Sequence, residues 1–422
     1  MVKNNLLYKS SFCYNQNPLT ERNTFSSIFM AQIITLMRKN SALLIGLFTC
    51  LSLPALAQQT QSINVVTTAV PMLRISPDAR AGGMGDLGIA TSADGNSSFW
   101  NQAKIPFAAQ RSSIALTYTP WLKDLGLNDV FIGTVAGYHQ IDELQAISGS
   151  LRYFNLGSIQ FTDFAGNDLQ KFNPREFAFD AGYSRKLSDK IGVGIALRFI
   201  YSNLANGNTN GVTYKPGTAV AGDISFFYNG LNEEGTGITA GAVMSNLGSK
   251  IAYTNDARGK DYIPANLGIG AVYTKAIDET NKISFGVDIN KLLVPTPPTD
   301  TSTAARDAYR NKSVVGSWFS SFGDAPGGFG EEMKEFQIST GLEYGYNDQF
   351  FARAGYFYEA KTKGNRRFFS VGAGVKYNRL GFNFSYLVPT GQGINRNPLS
   401  NTARFSIIFD LGGDDGSGTS NE

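Results

Sequence analysis

The side chains that most often carry catalysis or hold metals are scarce in this 422-residue chain. One histidine is present, His139, and the two cysteines, Cys13 and Cys50, both precede residue 58. A Ser/His/Asp triad would have to be built on His139, and a zinc site of several imidazoles or thiolates has no ligands to draw on. His139 falls where an alternating segment meets a short turn, the setting of a solvated turn residue. Gly192-Val193-Gly194 and Gly372-Ala373-Gly374 resemble fragments of phosphate-binding loops. No helix is expected after either, and small residues in a crowded sheet explain them better. Asp414 and Asp415 sit in a Gly/Ser tail, where two acids serve solubility rather than calcium. Lys and Arg number 37 against 34 Asp and Glu, a net charge of +3 without a basic cluster, so no nucleic-acid partner is expected. These residues predict a protein that is not an enzyme and takes no cofactor or metal.

The elements that would position any site start with an export signal. The run 41–57 (SALLIGLFTCLSLPALA) follows Arg38 and Lys39 and ends Ala55-Leu56-Ala57. A positive flank, an apolar stretch and an A-x-A end are the three parts of a secretory signal peptide. Pro54 and the shortness of the run argue against a spanning helix, which needs about 20 residues. Cleavage is expected between Ala57 and Gln58, with Met37 as the natural start and 1–36 as an over-extension.

Beyond Gln110 about ten residues of alternating character recur, each ending in a turn. In 335–346, Phe336, Ile338, Leu342 and Tyr344 share one face against Gln337, Ser339, Gly341 and Glu343. In 282–290, Ile283, Phe285, Val287 and Ile289 oppose Ser284, Gly286, Asp288 and Asn290. About fourteen such strands begin near Arg111, Asp129, Leu144, Glu176, Lys190, Thr218, Thr236, Ala265, Lys282, Glu335, Gln349, Arg366, Arg379 and Thr402. Short and long links alternate between them, as periplasmic turns and external loops do in outer-membrane barrels. An all-β transmembrane antiparallel barrel over 111–411, integral to a bacterial outer membrane and surrounded by its lipid, is expected. A polar tail follows at 412–422. Aromatic clusters at strand ends (Phe226-Phe227-Tyr228, Phe350-Phe351, Tyr356-Phe357-Tyr358, Phe368-Phe369) read as an interfacial girdle. An even strand number predicts that both termini lie on the periplasmic side.

Two stretches break the pattern. From 58 to 110 the alternation fails around Pro71, Pro77 and the run Gly82-Gly83-Met84-Gly85. Its apolar residues, among them Met72, Leu73, Ile75, Phe99 and Trp100, favour a segment folded into the lumen over a free tail. The long link 291–334 carries Leu292, Leu293, Val294, Trp318, Phe319 and Phe322, an apolar and aromatic content suited to binding a protein partner.

ISPDARAGGMGDLGIATSADGNSSFWNQAKI (75–105), with Ser245-Asn246-Leu247-Gly248 and 263–270 (IPANLGIG), resembles the PorV/PorQ group of FadL-like outer-membrane barrels of Bacteroidetes. One departure is Asn101-Gln102-Ala103, where the group commonly has Asn-Pro-Ala. The resemblance implies a FadL-like barrel of about fourteen strands with an N-terminal hatch. Arg80, Gly82, Gly83, Met84, Gly85, Trp100 and Asn101 are the hatch residues singled out. It also implies a part in type IX protein secretion. Such barrels bind C-terminal domains of cargo leaving a giant, SprA/Sov-like translocon barrel and shuttle them to a surface attachment complex with a sortase-like protease. The alternative it leaves open is a FadL-type channel for hydrophobic compounds. N-terminal sequencing of the exported protein is expected to begin at Gln58; a start inside 41–57 would refute the cleavage site.

Overall fold

In the computed structural model, residues 63–209, 211–256, 259–388 and 401–412 are described. The expected start, signal peptide, cleavage point Ala57/Gln58 and polar tail beyond Gly412 lie outside these residues, as does most of the link 389–401.

Fourteen strands form the frame: β1 (Ser112–Pro120), β2 (Val130–Gln140), β3 (Gln145–Leu156), β4 (Arg175–Lys186), β5 (Ile191–Asn203), β6 (Gly217–Leu231), β7 (Gly237–Gly248), β8 (Asn266–Ala276), β9 (Asn281–Leu292), β10 (Gln337–Tyr346), β11 (Phe350–Tyr358), β12 (Arg367–Tyr377), β13 (Leu380–Val388) and β14 (Ala403–Leu411). Each pairs antiparallel with its neighbour in sequence, and β1 pairs with β14, Ser112 opposite Leu411, to close the barrel. Each observed start falls within two residues of its sequence expectation.

Burial along the strands is the inverse of a soluble protein's. On β5, Ile195 and Leu197 are 59% and 72% exposed, while Arg198 between Leu197 and Phe199 is 3% exposed. On β1, Ile114, Leu116 and Tyr118 are exposed and Ser113 and Thr117 buried. Arg152, Asp180, Asp223, Asp288, Arg353 and Arg404 are all buried on the inner face. An apolar exterior around a polar interior is stable when the outside solvent is lipid. No helix of the described residues is long and apolar enough to cross a membrane.

Turn chemistry separates the two ends. At one end the links are tight. Asn347 and Asp348 both take positive φ (54° and 49°), and Gln349 N–H donates to the Tyr346 carbonyl, a type I′ geometry that continues the strand twist. The Asp278 carboxylate accepts from the N–H groups of Thr280 and Asn281, and Asp142 does the same for Leu144 and Gln145. The start of β1 and the end of β14 lie at this short-turn end, which is the periplasmic one.

The first described residues do not follow them. The Asn64 N–H donates to the Thr362 carbonyl and the Ala69 N–H to the Tyr262 carbonyl, both in long links. From there the segment 63–110 runs through the barrel interior to β1. The expectation that both termini sit on the periplasmic side therefore holds for the two ends of the barrel and fails for residue 63. Strand parity constrains only the sheet, and the segment before it threads the lumen.

The aromatic clusters also split by pleat. Phe226, Tyr228, Phe350 and Phe369 are exposed, whereas Phe227, Phe357 and Phe368 are buried inside, since consecutive strand residues face opposite ways. Leu197 is the central residue of β5 and faces lipid. Leu197→Arg is expected to lower barrel stability by about 2–4 kcal/mol, while Leu197→Phe is nearly neutral. Urea unfolding in lipid vesicles checks this, and equal stabilities would contradict a lipid-facing site.

Candidate functional site

Two features are built with more buried polar chemistry than a simple barrel needs: the luminal segment and the long link between β9 and β10.

The luminal segment holds a short helix, α1 (Ala79–Gly83), capped by Asp78, whose carboxylate accepts from the Ala81 N–H at 2.7 Å. Its other oxygen accepts from Trp100 Nε1 at 2.7 Å, so one acid fixes both the helix and the indole. Arg80 reaches the wall: Nε and Nη2 donate to the two Glu343 oxygens at 3.0 and 2.8 Å, and Nη1 pairs with Asp94 at 3.0 Å. Arg353 Nε donates to the same Glu343 at 2.6 Å and its Nη1 to Asn383 at 2.8 Å. The bidentate fork holds the arginine's direction as well as its charge. Arg404 Nη1 pairs with Asp86 at 3.0 Å.

The glycines of this segment are needed for close approach. At Gly85 φ is +71°, and a Cβ would lie 2.7 Å from the Tyr356 backbone. A Cβ at Gly83 would meet Gly372 Cα at 3.0 Å, and one at Gly82 would strike the Arg404 guanidinium. The wall reciprocates, because a Cβ at Gly341 would come 2.7 Å from Met84 Cβ and one at Gly355 would fall on the Met84 backbone. Met84, itself buried, is thus seated between glycines of β10 and β11. Gly192 and Gly194 play the same part under Ala103. Asn101 ties the segment laterally: Nδ2 donates to the carbonyls of Ile89 and Phe226, and Oδ1 accepts from the Ala103 N–H. Gln102, the residue departing from the Asn-Pro-Ala pattern, accepts from Ser148 Oγ at 2.7 Å and fills the space a Cβ at Gly182 would take.

Several wall residues receive the segment in a role that the sequence reading did not assign to them. Asp288 Oδ2 accepts from the N–H groups of Gly88 and Ile89 at 2.8 and 3.0 Å, and Ser370 and Ser406 accept from those of Gly85 and Ala79. Their signal was an acid or hydroxyl on the inward face of an otherwise ordinary strand. A cavity of about 30 Å³ remains beside Leu73, Phe99, Arg152 and Arg198, room for about one water.

The second feature, residues 293–336, contains α2 (Thr303–Asn311), α3 (Val314–Ser320) and α4 (Phe329–Glu332). Each of the first two has a serine cap, Ser302 and Ser313. Lys291 Nζ pairs with Glu332 and Glu335, both at 2.6 Å, and Lys363 Nζ pairs with Glu331 and Glu335 at 2.6 and 2.9 Å. Burial opposes ionisation of Glu331 more than any one partner favours it, but the hydrogen bonds and charge of Lys363, the Gly327 N–H and the Asn64 amide together hold the carboxyl below its ordinary range. On the far side Lys250 Nζ donates to the carbonyls of Arg310 and Lys312, and its charge lies 4.2 Å from the Tyr262 ring centroid. Burial, aided by Asp324, pushes the Tyr262 phenol up to about 12, and it stays a donor to Lys312 O at 2.8 Å.

This pinning sorts the expected contact residues. Leu293 and Val294 are buried and Leu292 half-buried at the foot of the loop. An apolar run at a strand end looks the same in sequence whether it packs inward or stands free. Trp318 is half-buried, while Phe319 and Phe322 are 72% and 46% exposed. Phe329, at 79%, and Met333 are exposed on the same link and were not anticipated. Among the described residues no group of His, Cys, Asp and Glu could hold a metal ion.

A closed barrel of fourteen strands with an apolar belt and a polar, filled interior defines an integral outer-membrane protein. The model for "Type IX secretion system protein PorV" matches residues 57–299, more than half of the chain, and the protein belongs to that family. No curated relative matches it. Similar solved structures include the CymD monoaromatic hydrocarbon channel (TM-score 0.48, 10% identity, covering 80% of this chain and 98% of that one). A Pseudomonas aeruginosa FadL homologue (TM-score 0.43, 12%, 83% and 100%) and the Pseudomonas putida toluene transporter TodX (0.45, 10%, 80% and 99%) are others.

Glu335 is the hub of the loop's attachment. Glu335→Ala is expected to weaken that attachment by roughly 3–5 kcal/mol, because Lys291 and Lys363 are left buried beside fewer carboxylates. Limited proteolysis within 293–336 should quicken at least tenfold while the barrel remains heat-modifiable on gels. An unchanged cleavage rate would show that the ion pairs do not hold the loop.

Proposed function

We propose that this protein is the secretion-system barrel that takes secreted cargo by its C-terminal domain as it leaves a giant translocon barrel and passes it to the surface attachment complex. Membership of the PorV family supports the secretion role. The observation that carries the reading is the surface of Phe319, Phe322, Phe329 and Met333, exposed on a loop whose ends are held by buried ion pairs. A monomer gains nothing by holding large apolar side chains in water, and holding them rigidly lowers the ordering cost of binding a partner. In this reading the luminal segment, with Arg80, Gly82, Gly83, Met84, Gly85, Trp100 and Asn101, is a hatch that keeps the lumen sealed. Cargo then travels beside this barrel and not through it.

The test replaces Phe319 and Phe329 together with serine in the native host. Cargo appearing at the cell surface is expected to fall at least tenfold, and co-purification of a very large barrel or of cargo C-terminal domains to fall with it, while barrel abundance is unchanged. Normal surface display together with loss of growth on long-chain fatty acids would overturn the proposal in favour of a hydrophobic-compound channel. Normal display with normal growth would place the contact elsewhere and refute the assignment to this loop.

A further inference from the structure

The outer wall is not uniformly convex. Across β4 to β8 a groove of about 560 Å³ opens on the lipid side, bordered by Tyr183, Ile195, Phe226, Met244 and Leu267, with Arg185 at one end. Ala242, the small side chain facing outward between Phe226 and Ile269, makes its floor.

The depression has a cause inside the barrel. The pairing of β6 with β7 shifts register between Gly222 and Ile224, so that Ser245 and Asn246 of β7 together face Asp223. Asn246 takes a positive φ of 57°, as a bulge that bends its strand often requires. From the lumen this irregularity is clasped. Asp223 accepts from the Asn246 N–H at 2.7 Å, and Arg198 grips both Asp223 oxygens, at 3.2 and 2.9 Å, together with the Asn246 side chain. A polar knot on the inner face thus fixes a bend whose other face is apolar.

The charged end identifies what lies in the groove. Arg185 faces outward at the second-last position of β4, beside the short turn that follows Lys186. Among the described residues its guanidinium makes no ion pair within 4 Å. Next to it Tyr183 projects a hydroxyl that donates to Gln145 at 2.5 Å, marking the depth where the wall passes from hydrocarbon to polar interface. The short-turn end is periplasmic, and the leaflet on that side of an outer membrane is glycerophospholipid. We infer that the groove is a site for one phospholipid of the periplasmic leaflet, an acyl chain lying over Ala242 between Ile195, Phe226 and Met244 and the phosphodiester on Arg185. An arginine fork matches two phosphate oxygens, and a bound chain fills a depression that ordinary annular lipid would pack poorly. Nothing in this assignment depends on the secretion role.

The experiment uses the whole mature protein, extracted in mild detergent and exchanged into nanodiscs of phosphatidylglycerol and phosphatidylethanolamine, each with palmitoyl and oleoyl chains. Native mass spectrometry after gentle release counts the phospholipid retained. The wild type is expected to hold one phospholipid at collision energies that strip the rest. Ala242→Phe, which fills the floor, should reduce that retention at least tenfold, and Arg185→Gln should reduce it about threefold to tenfold with the apolar groove intact. Leu116→Phe, on the far wall, should leave it unchanged. Heat-modifiability verifies that each variant is folded, and should Ala242→Phe misfold, Arg185→Gln carries the test alone. Equal retention by the wild type and Arg185→Gln overturns the site, as does retention of lipopolysaccharide in place of phospholipid in protein taken directly from membranes.

Discussion

Closure of the sheet is the constraint from which the rest follows. Within lipid, no unpaired backbone N–H or carbonyl finds water, so the first and last strands must bond to each other, and Ser112 does face Leu411 across that seam. Fourteen strands enclose a space too wide to be filled by the inward side chains of the wall alone. Left open it would be an aqueous pore. Here it receives residues 63–110 of the same chain, and the polar interior is the price of seating them. The segment is short of regular hydrogen bonding, and Asp288, Ser370, Ser406 and Asn101 supply the partners that its backbone lacks.

The wall and the segment are therefore one design seen from two sides. Gly341, Gly355 and Gly372 on the wall leave hollows for Met84 and Gly83, and the charged residues lie around those contacts. Arg80, Glu343, Arg353 and Asn383 link α1 to β10, β11 and β13, so a single network ties the helix to three strands of the wall. The same logic recurs at the rim. There Lys291 and Lys363 meet three glutamates and hold the long loop down, which turns a sequence-distant insertion into a rigid surface.

Much of this frame is readable from residue order, and what is not has physical reasons. Alternation and turn chemistry are local, so the strands could be placed to within two residues from Phe285, Val287 and Ile289 opposing Asp288, or from Asn347-Asp348 between two aromatic runs. Inward polarity was equally visible at Asp288, Glu343 and Arg404, yet their partners lie some 200 to 320 residues away in sequence, and no local pattern names them. The direction of the luminal segment was illegible because composition carries no vector: the glycines and Trp100 predict packing, not which mouth Asn64 reaches. The loop illustrates the same limit. Leu293 and Phe319 are both apolar residues in a long link, and only the tether to Lys291 and Glu335 decides that the first is buried and the second exposed.

The way the lumen is closed bears on where this protein can act. A gate that opens readily is held by few buried contacts and has room to swing. The luminal segment has neither property. Gly83 packs on Gly372 and Met84 on Gly341 so closely that one added Cβ would clash. Withdrawing Arg80 would take from Asp94 its charge partner and leave Glu343 with only Arg353. Separating one buried partner from its pair costs about 3–5 kcal/mol, and α1 with its flanks makes several such links, so an open state would be vanishingly populated without a large external force. In the proposed secretion reading, a barrel closed in this manner does not use its interior as a working surface. That reading leaves its rim, where the pinned loop presents aromatic side chains, and its lipid-facing wall as the surfaces through which it acts.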